Sequence, residues 1–377
     1  MTSNTFNSES AAFPYLMESP LKPVVTLNGN KFIYFAGTGY FQLQSHPEVI
    51  RAAIEATEKF GIGSATSRTI NGTTPLLIQL EKKIAEYFQT EDAAYLPSGY
   101  LSNLAGLQAL QKLKPFDVIF IDENAHYSNQ SGAMATGKKI IPFRHLNVED
   151  LKNKIKTYLG KNQKPLIITD GLFPIWGTIA PIPEYLELAE KFNGIIWTDD
   201  SHSVGILGKN GRGSYEHYNL NSPKLFMGAT LSKAFGAYGG FVAGNNSFIN
   251  TLKKGPVTTG TNSPPNALAA AALKGLEIVQ NNPGYRQNLY KNALYLKHKL
   301  TKLGLPVEDN NLPIITFSFN DENKMQNIQT NLMQQNIFIQ FIKYIGSSDK
   351  GVLRIVISSA HTTTHINKLV EALKKVL

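Results

Sequence analysis

Short apolar runs rich in β-branched residues alternate with longer helical patterns through the middle of the 377-residue sequence. This alternation predicts an α/β fold with a mostly parallel sheet, because parallel strands are joined by long crossovers that are usually helices. The seven predicted strands cover residues 93–96, 118–122, 140–143, 166–170, 195–199, 225–228 and 240–243. Several end in a polar or glycine-containing turn, which is where open parallel sheets collect ligand-binding groups.

The pattern changes towards the C-terminus. A long helix is predicted from Pro264 onward, since proline is tolerated in the first turn of a helix. After residue 283 we expect a helix, strands at 314–319, 337–341 and 353–358, and a closing helix. The sequence thus predicts an N-terminal arm over residues 1–47, a large domain over 48–283 and a small α+β domain over 284–377.

Composition narrows the chemistry. The chain has no cysteine, which excludes disulfides, thiolate nucleophiles and cysteine-ligated metals. Its net charge of +9 is spread along the chain in lysine pairs, which favours a solvated basic surface over nucleic-acid binding; attraction of an anionic substrate is the second possibility. The polar N-terminus and the absence of roughly 18 consecutive apolar residues predict a cytoplasmic protein without a membrane span.

Lys233 lies in the segment GATLSKAFGAYGG, a loop of small residues after a predicted strand. A lone lysine is more often a solvated surface residue. The glycines in this loop, however, allow a ligand or another segment of the chain to approach the backbone closely. Thr230, three residues earlier, offers a hydroxyl for an oxyanion. A lysine in a partly desolvated pocket has a lowered pKa and can form a Schiff base.

Two aspartates end the predicted strand in the segment IIWTDDSHS. Successive strand side chains point to opposite faces, so only one of Asp199 and Asp200 can face a cavity, and we assign that role to Asp199. His202 follows in the turn. The alternative is a purely structural strand end capped by an Asx turn.

A third segment, YLPSGYLSN, places Ser98 and Gly99 between an apolar strand and a helical pattern that begins near Leu101. The backbone amides of Gly99 and Tyr100 would then point out of a helix N-terminus. Such an end binds phosphate groups, although serine followed by glycine is also a common helix entry.

Together these segments resemble the α-oxoamine synthase family of fold-type-I pyridoxal-phosphate (PLP) enzymes. In that family a segment like DEAHSxGxxGxxGRG precedes one like TxSKAxGxxGG, and this chain has DDSHSVGILGKNGRG followed by TLSKAFGAYGG. The resemblance covers almost the whole chain. It implies a fold-type-I PLP transferase, with a mostly parallel seven-stranded sheet, flanking helices and a smaller α+β C-terminal domain.

The resemblance implies roles around the cofactor ring. Lys233 would be the Schiff-base lysine and Asp199 the partner of the pyridinium nitrogen, which makes the ring an electron sink. His202 would bond the ring hydroxyl. The segment DENAHYS points to His126 as the histidine that stacks on the ring.

The resemblance also implies phosphate contacts. Thr230 and the segment of Ser98, Gly99 and Tyr100 would bind the cofactor phosphate. Thr261, in TGTNSPPN, matches a threonine that reaches the phosphate of the neighbouring subunit. A homodimer with shared active sites is therefore implied.

Substrate positions match the family less well. Arg354 matches the arginine that binds the amino-acid carboxylate, a task suited to its bidentate geometry. Thr38, however, replaces an asparagine that helps to recognise the substrate. Pro174 replaces a serine that bonds the ring hydroxyl, which would leave that contact to His202 alone, and Trp176 replaces an aspartate.

The implied reaction is the decarboxylative condensation of glycine, alanine or serine with an acyl-CoA or acyl-carrier thioester, with Lys233 as the base. The main alternative is an aminotransferase or an aldolase on the same fold. Three other classes are less favoured: a hydrolase suggested by DDSHS, a metal site at His361 and His365, and a non-catalytic scaffold or nucleic-acid binder. No metal is expected.

Overall fold

A seven-stranded sheet forms the centre of the protein. The computed structural model describes residues 15–377, so the first 14 residues of the predicted arm lie outside the described part. The strand order is β3-β9-β8-β7-β6-β4-β5, and every strand is parallel to the others except β9. The strands are β3 (Asp92–Leu96), β4 (Val118–Asp122), β5 (Lys139–Phe143), β6 (Pro165–Asp170), β7 (Ile195–Asp199), β8 (Leu225–Thr230) and β9 (Gly240–Gly244).

All seven predicted strands are present, and each observed end lies within two residues of its predicted end. Helices cover both faces of the sheet, and this explains why β4, β6 and β7 are buried along their whole length. The carboxyl ends of the parallel strands meet at one edge. That edge therefore gathers the polar turns that follow β3, β6, β7 and β8.

Thirteen helices occur within residues 15–377, besides short irregular turns at Leu43–Ser45 and Arg68–Gly72. They are α1 (Pro47–Phe60), α2 (Pro75–Phe88), α3 (Gly99–Leu113), α4 (Tyr127–Met134), α5 (Val148–Tyr158), α6 (Ile182–Lys191), α7 (Ser214–His217), α8 (Asn246–Lys253), α9 (Pro256–Gly260), α10 (Asn266–Asn281), α11 (Gly284–Lys302), α12 (Glu322–Gln334) and α13 (Thr363–Val376). None of them is long and apolar enough to span a membrane.

The helix predicted from Pro264 onward is α10, which begins two residues later. Both prolines of the pair precede it, and Pro265 is its N-cap residue. Helix α12 was not predicted, although Asp321 caps its N-terminus and Met325, Ile328 and Leu332 follow a helical spacing. A helical signal was therefore present.

Part of the N-terminal arm forms an unpredicted hairpin. Strands β1 (Val24–Leu27) and β2 (Asn30–Tyr34) pair antiparallel around Asn28 and Gly29, which both have positive φ angles. An Asn-Gly pair between apolar runs is a strong hairpin signal. Strand β2 also pairs with β11 (Ile337–Phe338), so the arm contacts the C-terminal part of the chain.

The prediction of one strand over residues 337–341 is wrong. The chain forms β11 and then β12 (Gln340–Ile342), which belong to different sheets. Residues 337–339 are all buried, so their burial does not alternate as it would in a strand with one solvated face. Strand β12 joins β10 (Ile314–Phe317) and β13 (Val352–Val356) in the order β10-β13-β12. The domain boundary at residue 283 stays a prediction.

Candidate active site

A cavity of about 200 Å³ lies at the carboxyl edge of the central sheet. It brings together eight residues that the sequence singled out from segments far apart in the chain. Its lining consists of Ser98, Gly99, Tyr100, His126, Ser128, Asp170, Asp199, Ser201, His202, Thr230, Ser232, Lys233, Tyr238 and Gly239. The predicted residues Thr38, Thr261 and Arg354 are not among them.

The two aspartates after β7 point in different directions, as strand alternation requires. Asp199 lines the cavity, and one of its carboxylate oxygens accepts a hydrogen bond from the Ser201 amide at 3.0 Å. Asp200 is fully buried elsewhere and accepts from the Ser214 amide at 2.9 Å. Burial raises the pKa of Asp200 to about 6. Asp199 is thus the one of the pair that can meet a ligand.

Asn103 of helix α3 orients the second oxygen of Asp199. Its Nδ2 donates to Asp199 Oδ2 at 2.6 Å and to Ser128 Oγ at 2.8 Å. The indole nitrogen of Trp197 donates to Asn103 Oδ1 at 3.0 Å. Because an indole N–H can only donate, this contact fixes which end of the Asn103 amide faces Asp199. Both Asp199 oxygens therefore accept hydrogen bonds.

Asp170, at the end of β6, lies beside Asp199 in the sheet register. Burial, and then the charge of Asp199, raises the pKa of Asp170 well above its usual range. The His126 amide and Asn129 Nδ2 both hydrogen-bond to Asp170 Oδ1, at 3.2 and 2.9 Å. The uncharged form of this neighbouring acid is therefore favoured more strongly than in an ordinary aspartic acid.

Lys233 is partly buried in the loop after β8. Burial lowers the pKa of its amine to about 8, while Asp199 and Asp170 oppose the shift. Gln44 holds the loop because its Nε2 donates to the carbonyls of Ser232 and Lys233, at 2.9 and 3.0 Å. The amine therefore reaches its neutral, nucleophilic form at a lower pH than an ordinary lysine.

Helix α3 points its N-terminus into the cavity. Ser98 Oγ accepts from the Leu101 amide and the Ser98 carbonyl accepts from Ser102, which leaves the first amides of the helix, those of Gly99 and Tyr100, for a ligand. A Cβ on Gly99 would lie 2.8 Å from Thr230 Cβ, so glycine is what lets the helix approach β8. Aligned amides of this kind suit a phosphate group.

Thr230 lines this end of the cavity, and its hydroxyl donates to the Gly239 carbonyl at 2.9 Å. It also contacts Ser232 Oγ at 2.9 Å and accepts from the Ser232 amide. Ser232 therefore adds a second hydroxyl close to the helix N-terminus.

Both predicted histidines line the cavity. Burial lowers the pKa of His126, and its Nδ1 contacts Ser128 Oγ at 2.6 Å. Burial, with the positive charge of Lys233, lowers the pKa of His202 well below its usual range. His202 Nδ1 contacts the hydroxyl of Tyr40 at 2.7 Å, and this partner was not predicted.

Arg354 lies on β13 and is buried beside Gly37, the residue that precedes Thr38. Its Nε donates to the Pro174 carbonyl at 2.7 Å, and its Nη1 donates to Gln340 Oε1 at 3.1 Å and to the Gly37 carbonyl at 3.5 Å. Its Nη2 has no hydrogen-bond partner within residues 15–377. Arg354 is thus fixed by neutral acceptors, and the two N–H groups of Nη2 remain available.

Trp176 connects two segments next to the cavity. Its Nε1 donates to the Gly346 carbonyl at 2.7 Å, which ties the turn around residue 176 to the loop before β13. Tyr344 of that loop lies with its ring centroid 6.3 Å from His126 and 5.3 Å from Tyr127. The tryptophan therefore holds an aromatic wall beside the ring of His126.

Thr261 lies away from the cavity of its own chain, at the end of α9. Its hydroxyl donates to the Val257 carbonyl at 2.7 Å. The next residue, Asn262, forms a β-bridge with Ser67. Its predicted contact with the neighbouring subunit stays a prediction.

The side chains behind the metal and hydrolase hypotheses have structural roles. His361 precedes helix α13, so His361 and His365 do not share a helix face as the metal hypothesis assumed. His361 Nδ1 accepts from the Ser358 amide and its Nε2 contacts the Tyr34 carbonyl, so both ring nitrogens have protein partners. Within residues 15–377 no cluster of three or more potential metal ligands occurs. In DDSHS, His202 contacts Tyr40 and not a serine, so no hydrolase triad forms.

Several lining or supporting residues were not predicted from the sequence. Asp170, Ser201 and Ser232 could have been found, since they lie at or next to the ends of predicted strands at the same edge as Asp199. Three others lie inside the segments quoted above, but their roles were not predicted: Asn103, Ser128 and Tyr238. The contacts of Asn103 with Asp199 and of Tyr40 with His202 join segments far apart in the chain, and no local pattern indicates them.

Comparison with known proteins places the chain in a family. A sequence profile described as "Aminotransferase class I and II" matches residues 31–373. The chain therefore belongs to the class I and II aminotransferase family. Within it, the chain is one of the α-oxoamine synthases, as its sequence motifs predicted.

Named relatives support this placement. The 8-amino-7-oxononanoate synthase of Symbiobacterium thermophilum is 36% identical, over 96% of this chain and 92% of the relative. The 8-amino-7-oxononanoate synthase 1 of Bacillus subtilis is 33% identical, over 95% and 91%. The solved structure of a serine palmitoyltransferase variant from S. paucimobilis with a bound PLP-myriocin aldimine superimposes with a TM-score of 0.90 at 26% identity, over 96% of this chain and 92% of that one. The predicted fold class is confirmed.

The residues present fit PLP, the cofactor of this family. The cavity offers an amine with a lowered pKa, a hydrogen-bonded carboxylate and a helix N-terminus with two available amides. The amine suits the aldehyde of PLP, the carboxylate suits its pyridine nitrogen, and the helix N-terminus suits its phosphate.

We predict that Lys233 reacts with amine reagents at a lower pH than an ordinary lysine. Burial disfavours its cation, so the neutral amine should be half-populated near pH 8, against 10.5 for an unperturbed lysine. The measurement is trinitrobenzenesulfonate labelling of cofactor-free protein across roughly pH 6 to 11, quantified for each peptide by mass spectrometry, with N-acetyl-lysine as standard.

Lys297 provides an internal control. Burial also lowers its pKa to about 8, but Lys297 is only 4% exposed, its amine donates to Asn310, and it does not line the cavity. It should label slowly at every pH. A Lys233 midpoint equal to that of N-acetyl-lysine would contradict the proposed site.

Proposed function

We propose that this protein catalyses the decarboxylative condensation of a small amino acid with an acyl-CoA thioester, which yields an α-amino ketone, coenzyme A and carbon dioxide. The observation that carries this proposal is the meeting of Lys233, Asp199 and the N-terminus of helix α3 around one cavity. Relatives named 8-amino-7-oxononanoate synthase support alanine and pimeloyl-CoA as the first substrates to test. Glycine and serine are the other amino acids that the sequence predicts.

Lys233 is proposed to hold the cofactor and then to move the proton of the substrate. When bound, PLP supplies an electron sink for the negative charge that develops on the α-carbon of the amino acid. The amine of Lys233, once released by the incoming substrate, would accept the α-proton as general base. Its pKa of about 8, against 10.5, increases the neutral fraction near pH 7 by roughly 300-fold.

Asp199 is proposed to keep the ring nitrogen protonated. Asn103 Nδ2 and the Ser201 amide donate to its two oxygens, and these bonds hold the carboxylate in place before a ligand binds. Burial and the charge of Asp199 raise the pKa of the neighbouring Asp170, which favours the uncharged form of that acid.

The other end of the cavity would bind the phosphate. The amides of Gly99 and Tyr100, with the hydroxyls of Thr230 and Ser232, provide donors around the N-terminus of α3. The ring of His126 lies between these donors and Asp199 in the proposed arrangement, as the stacking partner of the cofactor. These roles are supported by placement in the cavity and by the motifs.

Arg354 is proposed to bind the carboxylate of the amino acid. Its guanidinium is immobilised by Pro174, Gln340 and Gly37, and Nη2 remains free to donate within the described chain. A pre-oriented arginine loses little conformational entropy on binding. Thr38, directly after Gly37, lies next to this group and is proposed to contact the same substrate.

We further propose that the protein is a homodimer in which Thr261 of one subunit contacts the cofactor phosphate of the other. Large apolar side chains are exposed within one stretch of chain, with Ile62 80% and Ile70 77% exposed. The bridge between Ser67 and Asn262 places this stretch beside Thr261. A partner that covers these isoleucines would therefore also meet Thr261. The cytoplasmic location stays a prediction.

We predict that the purified protein, supplied with PLP, alanine and pimeloyl-CoA, releases free thiol and carbon dioxide in equal amounts. Glycine, serine and an acyl-carrier thioester should be assayed in parallel. Lys233→Ala should abolish thiol release, and Asp199→Asn should lower it by roughly 10²- to 10⁴-fold. Lys161→Ala, at an exposed loop position, is the control and should leave the rate unchanged.

Two outcomes would contradict the proposal. Thiol release that survives in Lys233→Ala would remove Lys233 from the reaction. Transfer of the amino group to a keto acid, with no thiol released from any thioester, would establish an aminotransferase on this fold instead.

We predict that light scattering gives a mass of twice 41.6 kDa in solution. Ile62→Glu with Ile70→Glu should shift the population towards monomer, because burying two carboxylates in an apolar interface is costly. Leu294→Glu, at a 47% exposed position on α11, is the matched control. A monomeric wild-type protein at assay concentration would refute the shared-site proposal.

A further inference from the structure

Tyr40 is a fully buried tyrosine whose hydroxyl meets one of the cavity histidines. It lies in the loop after β2 and is 0% exposed. Its hydroxyl lies 2.7 Å from His202 Nδ1, and the two rings meet edge to face with centroids 6.3 Å apart. His202 itself lines the cavity, and its Nε2 has no protein partner within residues 15–377. The tyrosine therefore occupies Nδ1 of His202 and leaves Nε2 for a ligand in the cavity.

Both groups are neutral at physiological pH. Burial raises the pKa of Tyr40, so the phenol keeps its proton. Burial, followed by the charges of Lys233, Arg354 and His126, lowers the pKa of His202, so the imidazole carries one proton and not two. The pair thus has one O–H and one N–H to place.

Two arrangements of these protons are possible. In the first, the Tyr40 hydroxyl donates to Nδ1, and the imidazole proton is on Nε2. In the second, Nδ1–H donates to the phenol oxygen, and the hydroxyl proton needs another acceptor. Within the described chain the Tyr40 hydroxyl has no second partner, and a buried unsatisfied donor costs about 1–3 kcal/mol. The first arrangement is therefore favoured.

We propose that Tyr40 is a positioning residue that fixes His202 in the Nε2–H tautomer, so that the imidazole presents a hydrogen-bond donor to the cavity. A donor at this point suits an anionic or carbonyl-like oxygen on the ligand, whereas a lone pair would repel it. Taking that oxygen to be the ring hydroxyl of PLP rests on the proposed function. The tautomer itself does not, because it follows from Tyr40 and His202 alone.

Nitrogen NMR of the full-length protein tests the tautomer directly. Protein labelled with ¹⁵N-histidine is recorded with and without PLP, and long-range proton–nitrogen correlations show which ring nitrogen carries the proton. The His202→Gln variant assigns the signal. We expect Nε2 of His202 to be protonated in the wild type. A proton on Nδ1 would overturn the inference before Tyr40 is changed.

Tyr40→Phe removes the donor and keeps the ring. The hydrogen bond to His202 Nδ1 should be lost, which moves the Nδ1 chemical shift towards that of a ring nitrogen without a donor. PLP should dissociate roughly 2- to 10-fold more readily, as expected for one hydrogen bond. Circular dichroism should show that the variant is folded. If folded Tyr40→Phe keeps both the wild-type Nδ1 chemical shift and the wild-type PLP affinity, then Tyr40 does not hold His202 through Nδ1 and the inference fails.

Tyr185→Phe is the matched control. Tyr185 is also 0% exposed, but its hydroxyl has no hydrogen-bond partner in the part of the chain that the structure describes. Its replacement should leave both the His202 signals and the PLP affinity unchanged. If Tyr185→Phe changed them as much as Tyr40→Phe does, the effect of Tyr40→Phe would reflect a general loosening of the protein core and not the hydrogen bond to His202. The two claims are tested separately. If NMR shows Nε2–H on His202 but the protein releases no thiol, the tautomer is upheld and the proposed function is refuted.

Discussion

The hydrogen bond from Asn103 to Asp199 is the contact on which the rest of the site depends. It joins helix α3 to the end of β7, and Trp197, two residues before Asp199 on the same strand, fixes its direction by donating to the Asn103 carbonyl oxygen. The same helix presents its N-terminal amides to the cavity about one turn earlier. One helix therefore sets both the carboxylate and the phosphate ends of the site, and the distance between them is determined by the packing of α3 on the sheet.

The buried aspartates Asp170, Asp199 and Asp200 near the sheet edge differ because their surroundings differ. Burial and a neighbouring negative charge raise the pKa of Asp170. Asp199 receives donors on both oxygens and faces the cavity. Asp200 points away, and burial raises its pKa to about 6 while Ser214 holds it in place. Residue type alone would not separate them, but strand alternation and the sheet register do.

The features that were predicted correctly are those set by short stretches of sequence. The seven strands, the strand-end position of Asp199 and the loop of Lys233 all follow from runs of a few residues, and the structure brings Asp199 and Lys233 to one cavity. The partners Asn103 and Tyr40 were not predictable in this way, because they lie 96 and 162 residues from Asp199 and His202. The split of residues 337–341 between two sheets likewise depends on tertiary packing. The hairpin at Asn28 and the helix after Asp321 had local signals that were overlooked.

The central claim is that the amine of Lys233 bonds covalently to PLP in a cavity built for that cofactor. The most direct measurement is borohydride reduction of the PLP-loaded protein, followed by peptide mass spectrometry. We expect one pyridoxyl group per chain, attached at Lys233. Labelling spread over several lysines, or centred on a lysine outside this cavity, would contradict the claim.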